Sequence, residues 1–449
     1  MWEKLKKFID KLKPAQLIVS YYIIVVTIST LLLCLPVAIK KGADWTLMDA
    51  VFTAVSAVSV TGLTTVNFSE TFTTTGLFIL IFVLQIGGVG IMALGTFFWI
   101  VFKRKIGLRE RRLIMTDQNQ TNLSGLVNLL KQLLVVFIFI ELAGALILGT
   151  YFLHYFSTWQ DAYLHGLFAS VTATTNAGFD ITGASLIPYA NDYFIQFIHM
   201  ILITLGAIGF PVLIEVKNFF KRKGELFHFT LYTKITTLIY FILVITGGII
   251  FILFEINHFF VGKSWHESFF YAFFQSVSTR SGGLVTLDLT QLSEATLLLL
   301  SGLMFIGASP SSVGGGIRTT TFAISLLFLY NFSRGNRTIK LFKREVHEDD
   351  IMKAFVVSIF GVIVCFVSVM ILCVTEDLPL MSLVFEVCSA FGTSGMSLGI
   401  TADLSNFGKI IIMLLMFIGR VGILTFIFMI GGKEKKENFH YPKERIIIG

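Results

Sequence analysis

Four short segments carry the oxygen atoms from which this chain can build a cation site. They read FTAVSAVSVTGL, FASVTATTNAGF, FFQSVSTRSGGL and FEVCSAFGTSGM. Each holds Ser or Thr just before a Gly that is followed by an apolar residue. A Phe stands ten positions before each Gly: Phe52 and Gly62, Phe168 and Gly178, Phe273 and Gly283, Phe385 and Gly395. The carbonyls of Val60–Thr61–Gly62, Asn176–Ala177–Gly178, Ser281–Gly282–Gly283 and Thr393–Ser394–Gly395 are the expected ligands, in place of an ion's water. No Asp or Glu repeats with them. Carboxylate rings suit divalent ions, whereas neutral oxygens suit K⁺ or Na⁺, so the expected ion is monovalent. Phe makes up 46 of 449 residues, so the spacing alone recurs by chance. Glycine also packs membrane helices against one another. The conjunction favours a filter over packing: the same place in four units, a small residue before each Gly, an apolar one after.

These segments need elements that hold them inside a membrane. The ten residues from each Phe to just before its Gly make about three helical turns, too few to cross a bilayer. Entering from one side, each such helix aims its partly negative C-terminus at the membrane centre, which favours a cation. The chain must then turn back. Irregular backbone at that depth is tolerated where protein covers it or it lines a wet cavity, and Gly permits the turn.

Composition supplies the surrounding spans. Hydrophobic residues are 55% and charged residues 14%, with mean hydropathy +0.80. A soluble domain carries about 25% charged residues. Eight apolar stretches are long enough to span, near 15–37, 75–102, 126–153, 193–219, 231–255, 293–332, 352–374 and 406–431. The expected fold is all-α and polytopic: four span–pore helix–span units in a pseudo-fourfold ring around one pore. The units are 15–102, 126–219, 231–332 and 352–431, with cytosolic tails 1–14 and 432–449. Lys and Arg cluster at 4–13, 103–112, 217–234, 334–344 and 433–445, all on one side if the spans alternate. The positive-inside rule then places both termini in the cytosol and orients the four units alike. The net charge of +7 therefore reports topology and lipid surroundings, not a nucleic-acid partner. Cys34, Cys365, Cys373 and Cys388 lie in apolar segments, as inert buried thiols do. No Walker or Rossmann fingerprint is present, so no organic cofactor is expected on this chain.

Residues 307–321, GASPSSVGGGIRTTT, interrupt the sixth span and only that one. Pro310 and Gly314–Gly315–Gly316 cannot continue a regular helix cheaply. A constriction below the filter is favoured over a merely broken, packed helix. Arg318 follows it, facing either the pore or the cytosol. Arg420 stands mid-way along the last span, as a positive barrier or a tie for that loop; Glu141 and Glu215 are the acids available to a rival ion pair. Arg280, three residues before Gly283, is expected to tie its segment to neighbouring backbone or to a carboxylate.

With these residues in view, the chain resembles the Trk/Ktr/HKT superfamily of potassium transporters, closest to its Ktr-type membrane subunits (KtrB). STRSGGL is similar to the family's third-filter motif and TTNAGF to its second. The Gly-rich stretch matches its intramembrane loop, and Arg420 its Arg in the last span. Gly282 and Leu284 depart from the Ala and Phe often found there. The resemblance covers nearly the whole chain. It implies one filter Gly per repeat, a gate at Gly314, Gly315, Gly316, Arg318 and Arg420, and a homodimer on a cytosolic ring of KtrA-like RCK subunits that bind ATP or ADP. It also implies Na⁺-promoted K⁺ uptake across a bacterial plasma membrane. A lone Gly per segment, against the Gly-Tyr-Gly of true K⁺ channels, implies weaker K⁺/Na⁺ discrimination. An alternating-access symporter would instead show inverted repeats. An enzyme would need clustered catalytic groups, whereas His154, His165, His199, His258 and His266 are scattered.

Overall fold

A computed structural model describes residues 14–90, 126–221 and 228–431, with isolated positions 442, 444 and 446. Most of both tails, the linker at 103–125 and the end of the second expected span lie outside the described residues.

The helices fall into four groups. The first holds α1 (Pro14–Leu33), α2 (Leu47–Ser59) and α3 (Thr74–Val89). The second holds α4 (Leu126–Phe152), α5 (Trp159–Thr174), α6 (Tyr193–Ala207) and α7 (Phe210–Lys221). The third holds α8 (Leu231–Glu255), α9 (Trp265–Ser278), α10 (Glu294–Ile306) and α11 (Thr319–Ser333). The fourth holds α12 (Glu348–Thr375), α13 (Leu380–Gly392), α14 (Asn406–Val421) and α15 (Ile423–Ile430). In each group the leading helix (α1, α4, α8, α12) is long and apolar enough to cross a membrane. Their outward residues are bare aliphatics and aromatics such as Ile23, Leu146, Leu253 and Phe366, the surface a helix offers to lipid rather than to water.

The short helices α2, α5, α9 and α13 have 13, 16, 14 and 13 residues. Three open on a capping pattern. Thr46, Thr158 and Ser264 each accept the N–H three residues on, where Asp49, Asp161 or Glu267 also suits the positive helix end. Each helix begins several residues before its Phe and stops short of the Gly-ended triplet, so the expected Phe-to-Gly helix is shifted toward its N-terminus. The four groups close a ring in chain order: α3 packs on α5, α6 on α9, α10 on α13, and α14 on α2.

Two further expectations are corrected. The break in the sixth span is not the only one. The α6–α7 pair bends by 104° and the α14–α15 pair by 103°. Helices α3, α6, α10 and α14 stop at or next to Gly90, Gly209, Gly307 and Gly422, with φ of 93°, 101°, 65° and 89°, a hand that costs Gly little. The third group widens its break into the loop 307–318; residues 319–321 already belong to α11.

The Phe spacing is also not uniform. Phe52, Phe168 and Phe385 are buried, but in the third segment the buried ring is Phe274, while Phe273 is half-buried and stacks on Phe269. Ser170 donates to the Glu141 carbonyl on α4, and Ser276 donates likewise to Val244 on α8. These serines stand two residues after Phe168 and Phe274. The third segment is therefore one residue shorter between its buried ring and its Gly. Replacing one of these four rings by Ala would leave a cavity costing roughly 3–5 kcal/mol.

Between the third and fourth groups, β1 (Lys340–Leu341) and β2 (Arg344–Glu345) form an antiparallel hairpin. Its two turn residues, Phe342 and Lys343, have φ of 49° and 63°, in the left-handed region that Asn-Gly turns normally fill.

Candidate functional site

The four Gly-ended segments share one backbone pattern. Val60, Asn176, Ser281 and Thr393 have φ of 57°, 53°, 71° and 47°; two positions on, Gly62, Gly178, Gly283 and Gly395 have φ of 98°, 66°, 71° and 88°. Thr61, Ala177, Gly282 and Ser394 between them are not left-handed. Alternating hand turns successive carbonyls toward one side, whereas a strand alternates its groups across two. The left-handed conformation at four non-Gly residues costs about 1–2 kcal/mol each and persists where surrounding structure enforces it.

The glycines meet around one axis in chain order. A Cβ placed on Gly62 would strike the Ala177 carbonyl, and one on Gly178 would lie 3.1 Å from the Gly282 oxygen. On Gly283 it would lie 2.5 Å from the Ser394 oxygen, and on Gly395 it would strike the Thr61 carbonyl. The carbonyls of Thr61, Ala177, Gly282 and Ser394 thus form one closed ring, and no side chain fits at the glycines. All four segments enter from the same side, as in a pore and unlike an inverted repeat.

On one side the ring opens into a cavity of about 410 Å³ floored by the four glycines. Asp180 is its one lining carboxylate, and it accepts the N–H groups of Thr182, Gly183 and Ser185 at 2.9, 2.7 and 2.9 Å. Among the described residues no carboxylate ring surrounds the site.

Each segment is held by the same bond. The N–H before the Gly donates to the carbonyl four residues after the buried Phe: Thr61 to Ser56 at 2.8 Å, Ala177 to Thr172 at 2.8 Å, Gly282 to Ser278 at 2.6 Å and Ser394 to Ser389 at 2.8 Å. Gly62 and Gly395 also donate to Ser56 Oγ and Ser389 Oγ, both at 3.1 Å. The Asn176 amide, turned to satisfy both ends, donates to Ala173 and Ile203 and accepts from Ala207. Ser281 Oγ donates to the Gly392 carbonyl at 3.1 Å, joining the third and fourth segments. The Ser and Thr residues thus serve chiefly as backbone anchors. Sequence reasoning missed Glu386, which is fully buried on α13 and accepts from Ser397 Oγ at 3.0 Å and from Thr401 Oγ1. The signal was present: an acid directly after Phe385 in an otherwise apolar segment.

The loop 307–318 lies on the other side of the ring. A Cβ on Gly314 would meet Ala308 Cβ at 2.6 Å and strike Ser281 Oγ; one on Gly315 would meet Thr393 at 2.7 Å and the Gly419 oxygen at 2.9 Å. Ser281 and Thr393 stand two positions before the glycines that floor the cavity, so the loop crosses beneath the third and fourth segments. Gly316 has φ 79°. The loop is tied to the second group as well: Ser309 N–H donates to Ala207 at 3.1 Å, Val313 N–H to Gly206 at 3.3 Å, and Phe210 N–H to Ser311 at 2.8 Å. Tyr232 Oη donates to Pro310 at 2.5 Å.

Both loop arginines act on carbonyls. Arg420, in the last turn of α14 just before the bend, donates Nη1 to Val313 in the loop and Nη2 to Gly87 on α3. Glu141 takes Gln85 Nε2 at 2.6 Å and Glu215 takes the Thr230 N–H at 3.1 Å, so both acids are engaged elsewhere. Arg318 turns back onto its own loop, donating Nη1 to Ser309 at 3.4 Å and to Gly314. Arg280 is fully buried and donates Nη1 to the Gly307 carbonyl at 3.4 Å, tying its segment to the start of the loop.

A ring of like-oriented helix pairs around converging backbone carbonyls, with lipid-type surface outside, defines a multi-pass membrane transport protein and not an enzyme. The chain belongs to the TrkH family of cation transport proteins, which it matches over residues 3–441. It is 60% identical over 446 residues to the Ktr system potassium uptake protein D of Bacillus subtilis, covering 99% of each chain. It is 33% identical over 451 residues to the potassium/sodium uptake protein NtpJ of Enterococcus hirae, again covering 99% of each. In fold it is similar to the potassium transporter TrkH of Vibrio parahaemolyticus, with a TM-score of 0.70 at 22% identity over 91% of this chain and 84% of that one.

Proposed function

We propose that this chain is the ion-translocating subunit of a potassium uptake system in a bacterial plasma membrane, with both termini in the cytosol. The observation that carries the reading is the closed ring of four carbonyls with left-handed residues at matching positions in all four segments. Val60–Thr61–Gly62, Asn176–Ala177–Gly178, Ser281–Gly282–Gly283 and Thr393–Ser394–Gly395 act as the filter, each within its own repeat (15–102, 126–219, 231–332, 352–431). K⁺ is the favoured ion because the oxygens are neutral and because the relative at 60% identity is named for potassium uptake. The 33% identical relative, named for potassium and sodium, supports Na⁺ as a second ion or co-activator. The loop with Gly314, Gly315, Gly316 and Arg318, tied down by Arg420, serves as the gate beneath the filter. Because no nucleotide fingerprint lies on this chain, control by ATP or ADP falls to a cytosolic RCK ring under a homodimer of such pores, as the Ktr system names of its relatives support. The membrane potential drives entry at about 2.3 kcal/mol per charge per 100 mV.

Expression in a bacterium lacking K⁺ uptake, with and without a candidate RCK subunit, tests this. Growth at low K⁺ restored by the chain, and strengthened by the subunit, is the expected result. No rescue by a membrane-inserted chain under either condition rejects it.

A further inference from the structure

The fourfold backbone pattern is not matched by fourfold electrostatics. Immediately before the left-handed residues Val60, Asn176, Ser281 and Thr393 stand Ser59, Thr175, Arg280 and Gly392. Only the third position carries a charge, and that guanidinium is fully buried. Its Nη1 donates to the Gly307 carbonyl, while Nε and Nη2 have no hydrogen-bond partner among the described residues. The ion pairs among those residues are His258–Glu255 and Lys353–Asp350, so no carboxylate offsets it.

What faces Arg280 instead is a pair of helix ends. It stands two residues beyond the end of α9, and Gly307 caps the end of α10. Each helix C-terminus carries about half a negative charge. Two such ends and one guanidinium sum to nearly zero; at the end of α2 the Arg420 guanidinium is set back by one helix, on Gly87 of α3.

We propose that Arg280 is a specificity-determining residue that cancels the third sector's pull on the ion, so that the filter binds weakly and off-centre. This rests on the filter reading above. Ring order places Gly62 opposite Gly283, so the ion sits toward Gly62 and away from Gly283. Three residues span at most about 10 Å, and removing a unit charge at that distance changes ion affinity on the order of tenfold.

K⁺ uptake kinetics of Arg280→Gln and Arg280→Lys test the charge. The Gln variant lowers KM for K⁺ about tenfold, and the Lys variant keeps the wild-type KM. An unchanged or raised KM in the Gln variant overturns the proposal, and so does a Lys variant that shifts KM as Gln does, since that marks a packing role. The wild-type protein supplies a test that needs no variant to fold: anomalous scattering from crystals soaked in Tl⁺. A peak displaced toward Gly62 supports the proposal and a centred peak overturns it. No peak at the ring removes the filter reading itself, an outcome distinct from a centred one.

Discussion

Arg420 holds the loop 307–318 against the rest of the protein, and its loss has a size that can be worked out. Its two nitrogens bond Val313 in the loop and Gly87 on α3, which belong to different groups of the ring. A hydrogen bond from a charged group contributes about 1.5–3 kcal/mol. Arg420→Gln retains one donor group and loses the charge, so the closed loop loses roughly 2–3 kcal/mol. At 1.4 kcal/mol per factor of ten, the loop's open population rises roughly 30- to 100-fold. The substitution also removes a fixed positive charge from beneath the proposed cation filter, which acts in the same direction. The assay is ⁸⁶Rb⁺ uptake into proteoliposomes containing this subunit alone, driven by a K⁺ gradient. A rise in initial rate of tenfold or more is expected. An unchanged or reduced rate, with normal incorporation and size-exclusion profile, would refute the argument that Arg420 closes the loop.

Other outcomes follow from the same geometry. Deleting Gly314–Gly316 withdraws the backbone that backs onto Ser281 and Thr393, and should raise flux several-fold in the same assay; lost flux in a folded, inserted protein counts against the gate. In the β1–β2 turn, Phe342→Asn with Lys343→Gly replaces two left-handed residues by types that tolerate that hand, relieving on the order of 1–2 kcal/mol in total. The Val346 N–H, bonded to Ile339 at 3.0 Å, should then exchange with deuterium about tenfold more slowly. Equal or faster exchange would show that the turn is not strained.

The four Gly turns and the fourfold arrangement were legible in the sequence because a small residue before Gly, repeated in four units, is a local signal. The like orientation was legible because the basic loops alternate with the spans. The helix boundaries were not. Apolar residues continue past Gly209 and Gly422, so hydropathy runs smoothly across the two bends. The third break, with Pro310 and three glycines, is the densest in helix breakers; Gly206, Gly209 and Pro211 at the α6–α7 bend are a weaker signal of the same kind. The Phe spacing misled in the third segment because Phe273 and Phe274 are adjacent, and burial rather than sequence decides which one packs. The partners of Arg420 and Arg280 are carbonyls, which every residue carries, so no residue type could have announced them. Glu386 was legible in principle, since its charge stands alone in an apolar segment.

A K⁺-selective ring shaped by the four glycines, as proposed, makes the ion selectivity of Gly283→Ser decisive. Gly283 has φ 71°, and a Cβ there would lie 2.5 Å from the Ser394 oxygen and 2.8 Å from Gly178 Cα, so the neighbouring carbonyls must move apart. Flux of K⁺ and Na⁺ is measured in proteoliposomes for the wild type and the variant. The wild type is expected to favour K⁺ and the variant to lose most of that preference, by tenfold or more, while still entering the membrane. An unchanged K⁺/Na⁺ ratio in a correctly inserted variant would contradict it.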